Sequence, residues 1–531
     1  MDPRSAERLE LPVVRERLAE RTSFAAGRDL ALAVTPSPDP DRVAALHAET
    51  DEAIGLREAG VGGPVGAHDV REVVATARRG EVAPADALES VAATCAVASE
   101  ICEEVDEHAD DAPSLAALLS DVPRAELAAL GAALADALDG HGGLKDDATP
   151  ELARVRSSLR AARREASESL RRLADRVSQH LSEEFVTERA GRPVLAVRAA
   201  SRSAVPGIVH GASGSGQTLF VEPIETVELG NRVRELESAE TVEVERILWM
   251  LTERVAGLGD EIEAAVAALA ALDLALARAS LSTAWSGCKV ASAASPRLLG
   301  ARHPLLDPAT AVPIDIDMTG VSVLVVSGPN AGGKTVALKT LGLAASLHQC
   351  GLRPPARVAA LPVYRRILAE IGDDQSIELS LSTFSSRVRQ LALMLEEAGP
   401  GFLVLLDEIA AGTDPVEGAA LAQAILAALA ERGATALATT HHPDVKEWAS
   451  ASPVAANAAV GVDPRTFEPR YELLAGEPGA SHALEIAERL GVDASVVAAA
   501  REALDPTRRS ADLLLAEAAQ ARAAADDERA R

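Results

Sequence analysis

A short apolar strand that runs directly into a glycine-rich loop constrains the fold of this chain more than any other feature. Residues 321–327 form the apolar run, and Gly328-Pro-Asn-Ala-Gly-Gly-Lys-Thr335 follows it. Glycines in such a loop let backbone N–H groups turn toward phosphate oxygens, and a helix that starts there directs the positive end of its dipole to the same point. Apolar residues at helical spacing after the loop argue against a chance glycine turn. The pattern predicts a P-loop that binds a nucleoside triphosphate.

The residue types of this loop suit the separate parts of a triphosphate. We expect Lys334 to reach the β- and γ-phosphates and the Thr335 hydroxyl to hold Mg²⁺. Thr335 is therefore a predicted metal ligand. The predicted phosphate-binding residues are Gly328, Pro329, Asn330, Ala331, Gly332, Gly333, Lys334 and Thr335.

A second apolar run, residues 402–406, ends in two carboxylates, Asp407 and Glu408. In P-loop ATPases one carboxylate at this place holds Mg²⁺ through water, and a neighbouring group polarises the attacking water. We assign the metal role to Asp407 and the catalytic role to Glu408. An acidic pair standing alone would be equally well explained as a simple strand end, but the P-loop upstream favours the catalytic interpretation.

Two more features fit the same site. A strand predicted at residues 435–440 ends in His441, at the position of the γ-phosphate sensor of ABC-type ATPases; the alternative is a capping or surface histidine. Ser382 and Thr383 begin a predicted helix after the P-loop, and both are good capping residues. In an ABC-type dimer such a helix end faces the phosphates bound by the other subunit, so Ser382 is a predicted nucleotide contact rather than only a helix cap.

The length of 531 residues predicts several domains. Residues 1–150 read as a helical core and lever. Residues 151–290 combine two long helices with a small β patch, which suggests a lever with a clamp-like tip. Residues 291–505 alternate strands and helices, and residues 506–531 read as a helical or disordered tail. The predicted fold is multidomain: a mostly α-helical core, lever and clamp region followed by an α/β P-loop NTPase domain of ABC type.

The net charge of −28 would ordinarily argue against nucleic acid as a partner. Only five of the 52 basic residues are lysine, and alanine with Asp and Glu fills many polar positions. This balance is typical of proteins from a high-salt cytoplasm, where acidic surfaces keep proteins soluble. The net charge therefore does not exclude a nucleic-acid partner.

No secretory or membrane segment is predicted. The N-terminus lacks an apolar segment, and the most hydrophobic stretch, residues 264–285, is interrupted by Asp273 and Arg278. The four cysteines show no paired spacing, which argues against a zinc site or a disulfide framework. We expect a cytoplasmic protein without a membrane partner.

Seven segments of the chain carry a resemblance to a known protein family. They are Gly328–Thr335, Leu381–Phe384, Leu406–Gly418, Ala438–Lys446, Gly207–Pro223, Ala301–Leu305 and Ala480–Ala487. Together they resemble the MutS superfamily, and more closely its second branch, whose members are not dedicated to mismatch repair. The resemblance runs through nearly the whole chain. It implies an ATPase that forms a homodimer with composite ATP sites, a core and lever that enclose DNA, a clamp at the lever tip, and a dimerisation element near residues 480–490.

Two departures from the family pattern limit which functions of the family we expect in this chain. The chain opens directly into lever-type helices, without the mismatch-recognition and connector domains of mismatch-repair MutS. Phe220-Val-Glu222 spells the tripeptide with which those proteins probe mismatches, but it lies in the middle β patch, so no mismatch reading is expected. Many members of the branch carry a C-terminal Smr nuclease domain, for which residues 506–531 leave no room, so no nuclease activity is expected.

Arginines of the lever and tip are the candidates for DNA contact. They are Arg154, Arg156, Arg160, Arg163, Arg164, Arg171, Arg172, Arg176, Arg189, Arg192, Arg198 and Arg202. Contacts from these side chains to backbone phosphates would be independent of base sequence and sensitive to salt. An equally weighted alternative is a solvated helix whose arginines pair in part with Glu165 and Glu168.

The favoured function is an ATP-switched dimeric clamp that binds DNA non-specifically and acts on recombination intermediates. The alternative is a ribosome-associated ATPase of ribosome quality control, known for some members of the branch, and co-sedimentation with ribosomes would favour it. An ATPase that drives a membrane transporter is disfavoured by the long helices that precede the P-loop.

Overall fold

The computed structural model describes residues 1–189, 191–329, 332–372, 383–409, 413–463, 469–476, 484, 487–488 and 491–503. Its helices are α1 (Pro3–Arg8), α2 (Leu11–Ala19), α3 (Ala25–Ala33), α4 (Pro40–Ala59), α5 (Arg71–Arg78), α6 (Ala85–Glu107), α7 (Pro113–Leu119), α8 (Arg124–Ala137), α9 (Pro150–Arg176), α10 (Ile224–Gly257), α11 (Gly259–Ala284), α12 (Lys334–Gln349), α13 (Thr383–Glu397), α14 (Pro415–Glu431), α15 (Pro443–Ala451) and α16 (Ala494–Ala503).

The strands form three sheets. They are β1 (Leu181–Arg189), β2 (Arg192–Arg198), β3 (Gly207–Ala212), β4 (Thr218–Pro223), β5 (Val290–Ser292), β6 (Arg297–Ala301), β7 (Ile314–Asp317), β8 (Val323–Ser327), β9 (Val358–Leu361), β10 (Arg366–Glu370), β11 (Phe402–Leu406), β12 (Thr435–Thr440), β13 (Ala455–Val462) and β14 (Pro469–Ala475). The sheet orders are β1-β2-β4-β3, β5-β9-β6-β7 and β10-β11-β12-β8-β13-β14.

The chain divides into two compact units that alternate along the sequence. The first unit contains residues 1–63, 104–120 and 270–531, and the second contains residues 64–103 and 121–269. These units do not follow the consecutive ranges predicted at 1–150, 151–290 and 291–505. The predicted ranges, as separate domains, stay a prediction.

The six-stranded sheet is the centre of the first unit. Strands β10, β11, β12, β8 and β13 pair in parallel, and β14 pairs with β13 in the antiparallel direction. The inner strands are apolar on both faces because helices cover both, as parallel sheets require. This alternating α/β part agrees with the predicted class of the C-terminal half.

The N-terminal residues also belong to the core of this sheet. Leu9, Leu11 and Leu18 are buried in one cluster with Leu341 of α12 and Leu405 of β11. Helix α1 contacts the edge strand β10, where the Ala369 N–H donates to the Ser5 hydroxyl at 2.9 Å. The physical reason for the interleaved units is this packing of residues 1–63 against the sheet.

The second unit contains a small antiparallel sheet and two long helices. Helices α9 and α10 pack along each other, and α9 also contacts β1. Leu170 and Leu173 of α9 share a core with Leu195, Val197 and Val221 of the sheet. The two long helices and the small sheet agree with the predicted combination of two long helices and a β patch.

Local sequence signals explain where several helices begin. The Thr149 hydroxyl accepts from the Leu152 N–H at 3.1 Å before α9, and Pro150 occupies the first helical position, where no N–H is needed. Asp414 caps α14 in the same way, and Pro415 follows it. Each cap satisfies an N–H group that has no partner inside its helix.

Helix α11 is apolar enough to cross a membrane by length and composition, with a mean hydropathy of 1.7 over its most apolar window. In the structure 67% of that window is buried. Its two interrupting charges have partners: Asp273 accepts from the Ser23 N–H at 2.8 Å, and Arg278 pairs with Glu49. Within the described residues most of this apolar window is therefore covered by other parts of the chain.

Two buried histidines make the stability of the first unit depend on pH. Burial lowers the pKa of His303 to about 4 and that of His348 to about 4. In the unfolded chain both titrate near the usual value of about 6.5, so between pH 6.5 and 4 the unfolded state binds more protons than the folded state. The contribution of these two histidines to the free energy of unfolding is therefore fully present above pH 6.5 and is lost as the pH falls toward 4. Each histidine contributes up to about 3 kcal/mol to the loss.

Urea denaturation at a series of pH values between 7.5 and 4.5 measures this effect. We expect His303→Asn to reduce the slope of the unfolding free energy against pH by up to one proton in that window, because asparagine does not titrate. Asn can still accept the Leu305 N–H, which donates to Nδ1 of His303 at 3.4 Å. A variant with the same slope as the wild-type protein would contradict the assignment of this pH dependence to His303.

Candidate nucleotide-binding site

Three strands of the six-stranded sheet deliver the predicted site residues to one edge. Strand β8 ends at Ser327 before the P-loop, β11 ends at Leu406 before Asp407, and β12 ends at Thr440 before His441. Because the three strands are parallel and β12 lies between the other two, their carboxyl ends meet. This is the edge at which open parallel sheets bind ligands.

The P-loop has the backbone that its glycines allow. Gly328 and Gly333 adopt φ values of +138° and +94°, which strain other residues. A Cβ on Gly332 would lie 2.9 Å from Cγ1 of Val460, so packing also excludes a side chain there. Helix α12 begins at Lys334, as predicted.

Lys334 is buried at the start of α12, with an exposed fraction of 2%. Its Nζ donates to the Gly328 carbonyl at 2.9 Å. Burial lowers the pKa of Lys334, while the nearby Glu408 and Asp407 carboxylates act in the opposite direction. The ammonium group thus lies inside the loop, close to both predicted carboxylates.

Thr335 and Asp407 are in direct contact. The Thr335 hydroxyl donates to Oδ2 of Asp407 at 2.8 Å, which joins the P-loop helix to the end of β11. A hydroxyl and a carboxylate are hard oxygen ligands, and Mg²⁺ takes few protein ligands of this kind. The two side chains therefore fit Mg²⁺. Among the described residues, no group of three or more His, Cys, Asp or Glu side chains is arranged to hold a metal.

Glu408 has an unusual backbone. Its φ is +47°, in the left-handed region that non-glycine residues rarely adopt. The Glu408 N–H donates to the Thr439 hydroxyl at 2.7 Å, and that hydroxyl donates to Oδ1 of Asp407 at 2.6 Å. Thr439 lies inside the segment Ala438–Lys446, but the sequence pattern assigns it no role of its own.

His441 follows β12 at the same edge. Its ring lies against that of His442, with centroids 4.3 Å apart. Partial burial and then His442 lower the pKa of His441, and Glu408 and Lys334 also act on it. His441 is therefore close enough to the predicted site to interact electrostatically with two of its residues.

A cavity of about 300 Å³ lies beside the P-loop. Apolar side chains line much of it, including Val312, Ile314 and Val336, and Tyr471 of β14 forms part of its wall. The Tyr471 ring lies against Gly333, where an added Cβ would be 3.1 Å from Cδ1 of the ring. Only the tertiary structure identifies Tyr471, because no motif surrounds it.

Three predicted contacts, Asn330, Ala331 and Ser382, lie outside the described residues. Helix α13 begins at Thr383, next to the predicted capping position. The roles of these three residues stay predictions.

The Phe-x-Glu tripeptide of β4 is held within the second unit. Glu222 has an exposed fraction of 1% and accepts from Arg192 at 2.7 Å and from Nε2 of His210 at 2.7 Å. Phe220 carries the Arg189 guanidinium 4.3 Å from its ring centroid. A buried, paired carboxylate cannot probe a base, which supports the interpretation that this tripeptide is not a mismatch wedge.

Most arginines of α9 have carboxylate partners in the second unit. The pairs are Arg154–Glu151, Arg156–Glu240, Arg156–Asp146, Arg160–Asp146, Arg163–Glu237, Arg172–Glu168 and Arg176–Glu225. The alternative of a helix with partly paired arginines therefore accounts for most arginines of α9. Glu168 is one of the partners, and Glu165 is not among the pairs seen in the described residues. Arg164 and Arg171 are exposed and show no ion pair among the described residues.

The sheet, the P-loop and the contact between Thr335 and Asp407 define a P-loop nucleotide-binding protein. A family model described as MutS domain V matches residues 324–507. The chain is 46% identical over 529 residues to "Endonuclease MutS2" of Thermomicrobium roseum, and 40% identical over 532 residues to the protein of that name from Geobacillus thermodenitrificans. This chain belongs to the MutS2 family.

The coverage of these relatives is unequal. The matches include 96% and 98% of this chain, but 66% and 68% of the two relatives. A third relative, "Endonuclease MutS2" of Symbiobacterium thermophilum, is 40% identical with 64% of its length covered. The chain thus spans about two thirds of the length of its relatives.

Proposed function

We propose that this protein is an ATPase whose nucleotide cycle switches a homodimer that binds DNA without sequence specificity. The hydrogen bond of 2.8 Å between Thr335 and Asp407 carries the proposal. It brings the P-loop hydroxyl and the carboxylate after β11 to one point, as hydrolysis of a Mg²⁺-bound triphosphate requires. Buried Lys334 beside them supplies a positive charge for the phosphates.

The roles of the residues follow from their places. Backbone N–H groups of the P-loop bind the phosphate oxygens, and Lys334 exchanges the Gly328 carbonyl for a phosphate oxygen. Thr335 and Asp407 hold Mg²⁺. When bound, Mg²⁺ supplies charge compensation for the β- and γ-phosphate oxygens.

Glu408 orients and polarises the water that attacks the γ-phosphate, and His441 contacts that phosphate from the end of β12. Ser382 reaches the nucleotide of the partner subunit in the proposed dimer. The cavity bounded by Val312 and Tyr471 holds the base of the nucleotide, because an apolar wall with an aromatic ring suits a planar heterocycle.

For DNA, we propose contacts to backbone phosphates from exposed arginines of the second unit, with the small sheet acting as the tip of a clamp. Arg164, Arg171 and Arg198 are exposed, and no ion pair is seen for them among the described residues. The paired arginines of α9 contribute less, because neighbouring carboxylates already compensate their charge. A cytoplasmic role on recombination intermediates fits this interpretation.

The relatives are named as endonucleases, and that name applies to those proteins. The P-loop and the carboxylates after β11 support ATP hydrolysis. The expectation that this chain has no nuclease activity stays a prediction.

Steady-state ATP turnover of the purified protein in high-salt buffer, with and without duplex and branched DNA, tests the proposal. We expect DNA to stimulate turnover and the stimulation to weaken as salt rises, because phosphate contacts release counterions. Turnover that is indifferent to every DNA, together with co-sedimentation with ribosomes, would contradict the DNA role and favour the ribosome alternative.

A further inference from the structure

We propose that Thr439 is a positioning residue for ATP hydrolysis, whose single hydroxyl orients the side chain of Asp407 and the backbone of Glu408 together. The assignment rests on the proposed ATPase function and adds a residue to that site. Thr439 lies two positions before His441 and is completely buried, so it does not touch solvent.

The sheet register places Thr439 beside the two carboxylates. Strands β11 and β12 pair in parallel with Leu406 opposite Ala438, and the next residues along are Asp407 and Thr439. Such pairing is set by the backbone of the sheet, so a side chain at this position does not depend on a flexible loop. A site residue held on a strand is positioned more accurately than one on a loop.

The hydroxyl of Thr439 has two distinct partners. It donates its proton to Oδ1 of Asp407 at 2.6 Å and accepts the N–H of Glu408 at 2.7 Å. The Thr439 carbonyl accepts the Ile409 N–H at 3.1 Å. Thr439 therefore binds the side chain of Asp407 and the peptide N–H groups of Glu408 and Ile409.

These bonds hold a backbone conformation that is costly alone. Non-glycine residues rarely adopt the left-handed region, and Glu408 occupies it with φ +47°. Residues in such conformations persist where neighbouring structure imposes them, and they cluster at functional sites. The two N–H bonds to Thr439, from Glu408 and Ile409, impose this one.

The same hydroxyl completes the orientation of Asp407. Oδ2 of Asp407 accepts from Thr335 at 2.8 Å, and Oδ1 accepts from Thr439, so the carboxylate is held from α12 and from β12. The adjacent Thr440 does not replace Thr439, since successive side chains of a strand point to opposite faces of the sheet, and the Thr440 hydroxyl accepts the His442 N–H at 3.1 Å. Without the Thr439 hydroxyl, the Asp407 side chain gains rotational freedom and the Glu408 N–H loses its partner.

The test compares Thr439→Val, which removes the hydroxyl at nearly constant volume, with Thr439→Ser, which keeps it. We expect the valine variant to lower kcat about 10–100-fold and to raise the Mg²⁺ concentration for half-maximal turnover, with the KM for ATP little changed, as for other residues that orient a metal ligand. In the serine variant, kcat and the Mg²⁺ concentration for half-maximal turnover should both stay close to the wild-type values. Thr439→Ala removes the hydroxyl without a branched side chain and replaces the valine variant if that one does not fold.

A second readout does not need turnover. The rise in Tm caused by a non-hydrolysable ATP analogue is measured with and without Mg²⁺, and only the Mg²⁺-dependent part should shrink in the valine variant. Unchanged kcat and Mg²⁺ dependence in that variant, or a serine variant as impaired as valine, would overturn the role of Thr439. A wild-type protein that binds Mg²⁺ and the analogue but never hydrolyses ATP would overturn the ATPase function and the hydrolytic role of Thr439, whereas the Mg²⁺-dependent part of the Tm rise would still show whether Thr439 orients Asp407. Absence of both binding and turnover would overturn both.

Discussion

Replacing Glu408 with glutamine is expected to lower ATP turnover by roughly 10²–10⁴-fold, the range for loss of a general base. ATP affinity should remain close to that of the wild type, because glutamine has the same shape and the P-loop contacts do not involve this side chain. The backbone bond from the Glu408 N–H to Thr439 is also kept. Single-turnover hydrolysis and equilibrium binding of an ATP analogue, measured separately, distinguish these effects.

Glu431→Gln is the matched control, because it makes the same chemical change at the exposed end of α14 in the same unit. It should leave turnover unaltered. A Glu408→Gln variant with normal turnover would remove the catalytic role. Loss of nucleotide binding together with turnover would instead indicate that the substitution disturbs the site.

Replacing Arg278 with alanine is expected to cost about 3–5 kcal/mol of folding stability, the range for breaking one side of a buried ion pair. Arg278 has an exposed fraction of 2% and pairs with buried Glu49, which Arg42 also contacts at 3.0 Å. Among the described residues, removing Arg278 leaves half-exposed Arg42 as the ion-pair partner of the Glu49 carboxylate in the core. Urea denaturation followed by tryptophan fluorescence measures the loss, since Trp285 packs against the core of the first unit.

The exposed pair Arg297–Asp317 offers the comparison. Its side chains are 48% and 40% exposed, so Arg297→Ala should cost about 0–1 kcal/mol. A double substitution, Arg278→Met with Glu49→Leu, should recover much of the loss, because neither charge is then left unpaired in the core. Equal effects of Arg278→Ala and Arg297→Ala would contradict the buried-pair explanation.

The P-loop and the carboxylate strand were predictable because contiguous residues carry their information. An apolar strand, a glycine turn and a helix start lie within residues 321–335, and the structure has β8 and α12 where the pattern indicates them. Asp407 and Glu408 follow β11 for the same reason. Their closeness to the P-loop also follows from parallel strand order, since carboxyl ends of parallel strands meet at one edge.

The partners of the α9 arginines were less predictable. The sequence shows Glu165 and Glu168 on the same helix, but most ion pairs go to carboxylates of α10 and of the loop before α9, such as Glu240 and Asp146. Helix periodicity says which residues share a face, and it does not say which neighbouring element covers that face. The net charge of a segment therefore overstates the number of unpaired arginines that it could offer to DNA phosphates.

The sequence by itself determined the candidate nucleotide site, its carboxylates and the family resemblance, because each depends on short runs of residues whose backbone and chemistry act locally. Tertiary structure alone decided the interleaved units, the place of Tyr471 beside the P-loop and the contact of Thr439 with Asp407 and Glu408. These depend on pairs of residues far apart in the chain that only the sheet register and core packing bring together. Hydrogen bonds of 2.6 and 2.7 Å between β12 and the residues that follow β11 leave no pattern in the order of the amino acids.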